Sequence, residues 1–377
     1  CIRDSLQGVI STSREAAALV GDAMSPDYPV VALPAPVWDR YRGDPAIARN
    51  SPQLGDRQFA FAGLVIDSPT LGLSADGLVR KPASAEPVPV TQAPAPKPVC
   101  DNRFSLAWRE TKALAGGWWQ EVGLPALVVN TPQPQDPPLA PASAPPAVPI
   151  SVVGVVYTTV LNPADSRKNW VELITAFCWA FKDRDDATLI VKMTHHDLEY
   201  YRIVLMTLLS RLAPFSCRVV VLHGFLEDQQ YRQLIEASSY YVNASSGEGL
   251  CLPLMEFLSA GKPAIAPTHT AMADYVDERL AFLVKCALEP FCWPHDPTGI
   301  FMTHRHRLNW QSLVDAYRHS YRVAKDEPER YCEMARQADA RMQAFASIER
   351  VAGPLGAFPV SYTHLRAHET DSYLVCR

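Results

Sequence analysis

Glu248 and Glu256 stand eight positions apart in the segment EGLCLPLME. The residues around them suit a ligand-binding loop. Gly247 and Gly249 let the backbone pass close to a bound group. Pro253 fits the first turn of a helix, where its missing N–H costs nothing. A helix starting there points its unpaired N–H groups and positive dipole end into the loop, which suits a phosphate. Glu256, one turn in, is placed to accept hydrogen bonds from a ribose diol, as acidic residues do in other nucleotide-binding α/β folds. Either glutamate alone also reads as a helix-start charge or a solvated loop charge. A second cluster is Arg167-Lys168-Asn169, between a strand and a helix. Cations at a helix start oppose its dipole, so they are either solvated or held for an anion.

The stretch ASSGEGLCLPLMEFLSAGKPAIAP resembles the Glu-x7-Glu segment of retaining family-4 glycosyltransferases of the GT-B fold, usually EGFGLPxLEAMAxGxPV. Glu248, Gly249, Leu252, Pro253, Glu256, Ala260, Gly261 and Pro263 match. Cys251 stands where the family usually has glycine, and Phe257 where it usually has alanine. The resemblance runs from about Val152 to Ala324. It implies a nucleotide-diphosphate sugar as donor substrate, a carbohydrate or lipid-linked acceptor, and no metal or other cofactor. It also implies roles: Glu248 catalytic near the anomeric carbon; Gly249, Leu250, Cys251 and Leu252 at the donor sugar; Glu256 at the ribose. The family grips the diphosphate with an arginine and a lysine about six residues apart. Lys168 matches the lysine and Asn162 falls at the arginine position, with Arg167 placed to compensate. His223-Gly224-Phe225 ends a strand beside the expected base pocket, where His223 is open to a structural role or a contact.

Other histidines carry weaker signals. His195-His196-Asp197 follows a strand and His304-Arg305-His306 has ligand-like spacing, but a metal site needs three or four converging ligands. Thr268-His269-Thr270-Ala271 reads equally as a phosphate or acceptor contact and as a plain loop.

The 377 residues carry a net charge of −5, which gives no nucleic-acid footprint. No run of about 18 apolar residues is present. Nine scattered cysteines without metal-like spacing read as reduced thiols of a cytoplasmic protein. Peripheral association with the inner membrane face would come through an N-terminal domain.

The elements that must position these groups are strand–helix repeats. From Ser151 onward, strands at VVGVVYTT, TLIVKMT, RVVVLHG, SYYVNAS, PAIAP and AFLV alternate with helices marked by Trp170 to Phe181, Tyr201 to Leu212, Tyr231 to Ile235 and 253–260. Such βαβ units give a Rossmann-like parallel sheet with ligands at the carboxyl ends of its strands. The expected class is α/β of GT-B type. Residues 1–42 form a strand–helix–strand remnant of the acceptor-side domain. Residues 43–150 form a Pro/Ala-rich insertion, largely disordered, with Trp108, Trp118 and Trp119 in a local helix or hairpin. Residues 151–325 form the donor domain and 326–359 a helical segment. The tail from Val360 to Arg377 resembles a translated sequencing adapter.

The expected activity is sugar transfer with retention of configuration by a longer protein, of which this chain is an inactive N-terminally truncated fragment of bacterial origin. The alternatives are a non-catalytic nucleotide-sugar-binding fragment and a GT-B epimerase or phosphorylase.

Overall fold

The computed structural model describes residues 8–24, 28–42, 51–73, 147–194, 198–292 and 298–358. The tail, the three tryptophans of the insertion and His195 to Asp197 lie outside them. At the N-terminal end, β1 (Val9–Ser11), α1 (Arg14–Ala23) and β2 (Val30–Ala32) form a strand–helix–strand unit with the strands parallel. Ser13 caps α1, its side chain accepting from the Ala16 N–H.

Residues 51–73 depart from the sequence reading, which placed them in the insertion. They supply β3 (Arg57–Phe61) and β4 (Leu64–Asp67). β3 pairs antiparallel with β5 (Val148–Val152). β4 adds an antiparallel edge to the main sheet, and Asp67 holds Arg218 there through two hydrogen bonds of 3.0 and 2.7 Å. The local signal existed, because RQFAF and LVID are short strand-like runs. The surrounding proline density masked it.

The body follows as expected: β6 (Val155–Leu161), α2 (Trp170–Ala180), β7 (Ala187–Met193), α3 (Leu198–Leu212), β8 (Arg218–His223), α4 (Asp228–Ala237), β9 (Tyr240–Val242), α5 (Leu252–Ser259), β10 (Ala264–Ala266) and β11 (Ala281–Leu283). The sheet order is β11-β10-β9-β6-β7-β8-β4, parallel except for β4. β7 is buried along its whole length, as a strand covered on both faces must be. Leu189, Val191 and Met193 face a core with Tyr157, Phe177, Phe181 and Tyr317. Ile190 points to the other side, with Val156, Val220 and Leu234.

The antiparallel hairpin β12 (Cys286–Cys292) and β13 (Met302–Leu308) is not foreseen in the sequence. None of its strand residues is fully buried, Pro290 interrupts β12, and β13 carries the polar run THRHR, so no apolar alternation marks them. α6 (Trp310–Asp326), α7 (Pro328–Ala346) and α8 (Ile348–Ala357) complete the chain. Ala338 and Met342 of α7 join Met255 and Phe257 of α5 in one apolar cluster, which fixes the helix bearing Glu256.

Candidate functional site

β9 delivers the chain to the carboxyl edge of the sheet, and the loop from Asn243 to Leu250 turns there toward α5. Backbone contacts pin this loop. The Ser246 N–H donates to the Arg167 carbonyl at 2.8 Å, and the Asn169 amide donates to the Ala244 carbonyl at 2.8 Å. The Glu248 N–H donates to Thr270 Oγ1 at 3.0 Å, and the Ala271 N–H to the Glu248 carbonyl at 3.2 Å. The loop at Thr268–Ala271 therefore supports the loop carrying Glu248.

The Glu248 carboxylate is buried and surrounded by donors. Lys168 Nζ and Ser245 Oγ each lie 2.6 Å from Oε1, and Arg167 Nη1 lies 2.8 Å from Oε2. Burial works against its ionisation, but Lys168 and Arg167 outweigh it and hold the carboxyl below the usual range. The three residues carry one net positive charge. Arg167, Glu248, Gly249 and Asn162 line a cavity of about 940 Å³, together with Phe291, Thr303, His304 and Arg305 of the hairpin.

α5 begins beyond this cavity. Cys251 precedes it at φ 62° and ψ 62°, a left-handed conformation. This is the position where the resembling family usually has glycine, and the backbone shows why glycine suits it. The Leu250 carbonyl accepts from Tyr275 Oη at 2.8 Å and the Gly249 carbonyl from Thr12 Oγ1 at 2.6 Å, so both carbonyls before the helix are paired with side chains. Glu256 is also buried. Its Oε2 accepts from Tyr231 Oη at 2.9 Å and its Oε1 from Arg40 Nη1 at 3.3 Å. Leu252, Pro253, Glu256, Tyr231 and Arg40 line a second cavity, of about 340 Å³.

The two glutamates thus open onto different cavities, one on each side of the start of α5. Sequence reasoning missed Lys192, which lines the second cavity with Thr194, Val160 and Leu226. A lysine at the carboxyl end of an otherwise apolar strand was the available signal. Arg40 was missed because it lies more than 200 positions away in sequence.

The residues read as a base pocket are not brought to either cavity. His223 is the last residue of β8, buried and in register with Leu64 and Met193. Gly224 has φ 152°. Phe225 is 58% exposed, and Leu226 is the first residue after β8 to reach the cavity beside Glu256. His269 and His306 stack with ring centroids 4.1 Å apart. Among the described residues, no three His, Cys, Asp or Glu side chains converge as a metal set would. No helix among them is long and apolar enough to cross a membrane.

Among solved structures, Anabaena Alr3699/HepE in complex with UDP and glucose is similar at a TM-score of 0.38 and 13% identity, over 54% of this chain and 47% of that one. The C-terminal domain of LpcC, a glycosyl transferase group 1 family protein of Francisella tularensis, is similar at 0.38 and 19%, over 52% of this chain and 89% of that one. The α,α-trehalose 6-phosphate synthase of Burkholderia multivorans is similar at 0.40 and 14%, over 55% and 42%. The chain thus spans about half the length of the first of these. No curated protein matches the sequence. A family model does match: residues 159–290, which run from β6 to β12 and carry both glutamates, match glycosyl transferases group 1.

Proposed function

We propose that this chain carries the donor side of a retaining, family-4-like GT-B glycosyltransferase. It would bind a nucleotide-diphosphate sugar and present it to a polysaccharide or lipid-linked acceptor. The observation that carries this reading is the pair of buried glutamates flanking the start of α5, each among cations and each opening onto its own cavity. Sugar transfer builds negative charge on the leaving diphosphate and positive charge at the anomeric carbon. Preorganised charges at those points lower the barrier. Arg167 and Lys168 supply the cations for the diphosphate, helped by the amide end of α5. Glu248, already held ionised, faces the developing positive charge. Glu256 and Tyr231 bind the ribose.

The donor needs no divalent ion in this reading, because the protein's own cations neutralise the phosphates. Titration calorimetry in EDTA checks it: UDP or GDP binds, and Glu256→Ala weakens binding by about tenfold or more, the loss of one charge-assisted hydrogen bond. Silence with every nucleoside diphosphate, on folded protein, overturns the reading. For the whole protein, the product keeps the donor's anomeric configuration, and Glu248→Ala lowers kcat far more than donor affinity.

A further inference from the structure

The cavity beside Glu256 contains a charged group that the contacts above do not use. Lys192, in β7, is 2% exposed. Among the described residues no hydrogen bond or ion pair engages its ammonium, and burial alone pushes it down to about 8. Lysine is almost never buried without a partner, because a desolvated charge is costly. A side chain kept in that state while lining a cavity points to a ligand that completes it.

The surroundings indicate which part of the ligand. The pleat turns Lys192 to the same side as Ile190, away from the core that takes Val191 and Met193. Register places it between Val160 of β6 and Leu222 of β8. The strand that feeds α5 is β9, and the order β9-β6-β7 puts Lys192 two strands further along the sheet. Two strand spacings are roughly 10 Å, comparable to the reach from a nucleotide's phosphate to the far edge of its base. The same cavity is lined by Glu256, the proposed ribose contact, by Val160 of β6 and by Leu226, which follows β8 on the other side of Lys192; these two apolar side chains suit the faces of a planar ring.

We propose that Lys192 reads the base of the donor nucleotide, donating from its ammonium to a ring keto oxygen, O4 of uracil or thymine or O6 of guanine. An ammonium only donates. The amino groups of cytosine and adenine at the corresponding positions are donors too, so they oppose it. The substrate class is a nucleoside diphosphate sugar with a keto base. This inference rests on the donor reading above.

The test is titration of the full chain with two matched pairs, UDP against CDP and GDP against ADP, alongside thermal melts. The expected result is a keto member that binds at least about tenfold tighter than its amino partner, the scale on which an unmatched polar contact discriminates. In Lys192→Met that preference falls below about threefold by the same scale, while the melting temperature holds or rises. Lys192→Gln, whose amide can still donate, retains part of the preference and serves if the methionine variant fails to fold. An unchanged preference in the variants, a wild-type preference for CDP or ADP, or an equal loss for all four nucleotides (the mark of a phosphate contact) overturns the inference and leaves the donor reading intact. Absence of binding by all four overturns both.

Discussion

Cys251 shows how one residue can fit a site chemically and strain it conformationally. Its left-handed backbone costs an L-residue on the order of 1–2 kcal/mol. What offsets the cost is a buried thiol that accepts from the Asn243 amide at 3.1 Å. Burial pushes that thiol up to about 12, so at neutral pH it is a protonated, inert filler. Two substitutions separate strain from packing. Cys251→Ala keeps the strain and loses the contact, so it destabilises. Cys251→Gly also loses the contact but relieves the backbone, so it is the more stable of the two by about 1 kcal/mol. Chemical denaturation of both variants checks the order; an alanine variant as stable as the glycine variant would show that the backbone is unstrained. Glu248 is the opposite case, a buried residue whose donors Arg167, Lys168 and Ser245 all favour its ionised state.

At the scale of elements, the hairpin is joined to the Glu248 loop. The His306 N–H of β13 donates to the Ser246 carbonyl at 3.1 Å, and the His306 ring stacks on His269. Burial first, and His306 second, push His269 down to about 4, while Glu248 and the Ser245 backbone act in the other direction. Thr270 Oγ1 lies 3.4 Å from its Nδ1, and its buried Nε2 has no hydrogen-bond partner among the described residues. The unfolded chain binds a proton at His269 near the ordinary value of 6.5, and the folded chain only near 4. Between those values the unfolded state holds more protons, so stability falls as pH drops from about 6.5 to 4. The loss is on the order of 3 kcal/mol, about 1.4 kcal/mol for each unit between the two values. His269→Gln removes this slope, and denaturation midpoints at pH 7, 5.5 and 4.5 measure it. A slope that survives the substitution would assign it to other groups.

Across the molecule, the segment around Trp38 ties the N-terminal unit to elements far along the chain. Trp38 Nε1 donates to Asp339 of α7 at 2.9 Å, and the Ile348 N–H at the start of α8 donates to Asp39 at 2.6 Å. Arg40 joins Asp228 of α4 at 2.7 Å and Glu256 of α5 at 3.3 Å. These bonds put the segment along one wall of the cavity beside Glu256. Arg40→Ala should lower stability by on the order of 1–2 kcal/mol, because it leaves a buried carboxylate with one fewer donor. Tyr231 still holds Glu256, so the variant stays folded. Urea denaturation measures the loss, and an unchanged midpoint would show that the N-terminal segment is not coupled to the site.

The sequence by itself determined the parallel sheet and the start of α5. Buried strands such as TLIVKMT, spaced by amphipathic helices, permit few arrangements, and the glycines and Pro253 act locally. It also singled out Glu248, Glu256, Arg167 and Lys168, since each pair lies within one short stretch of sequence. Tertiary structure alone decided that Arg167 and Lys168 close on Glu248, that Glu256 meets Arg40 and Tyr231, and that Lys192 lines a cavity. It alone decided that residues 64–67 extend the sheet and that 286–308 fold over the site. Those outcomes join residues from distant parts of the chain, and no local period or propensity encodes which loop ends at which strand. Burial, which gives Lys192 and His269 their unusual protonation, is likewise a property of the assembled core rather than of any segment.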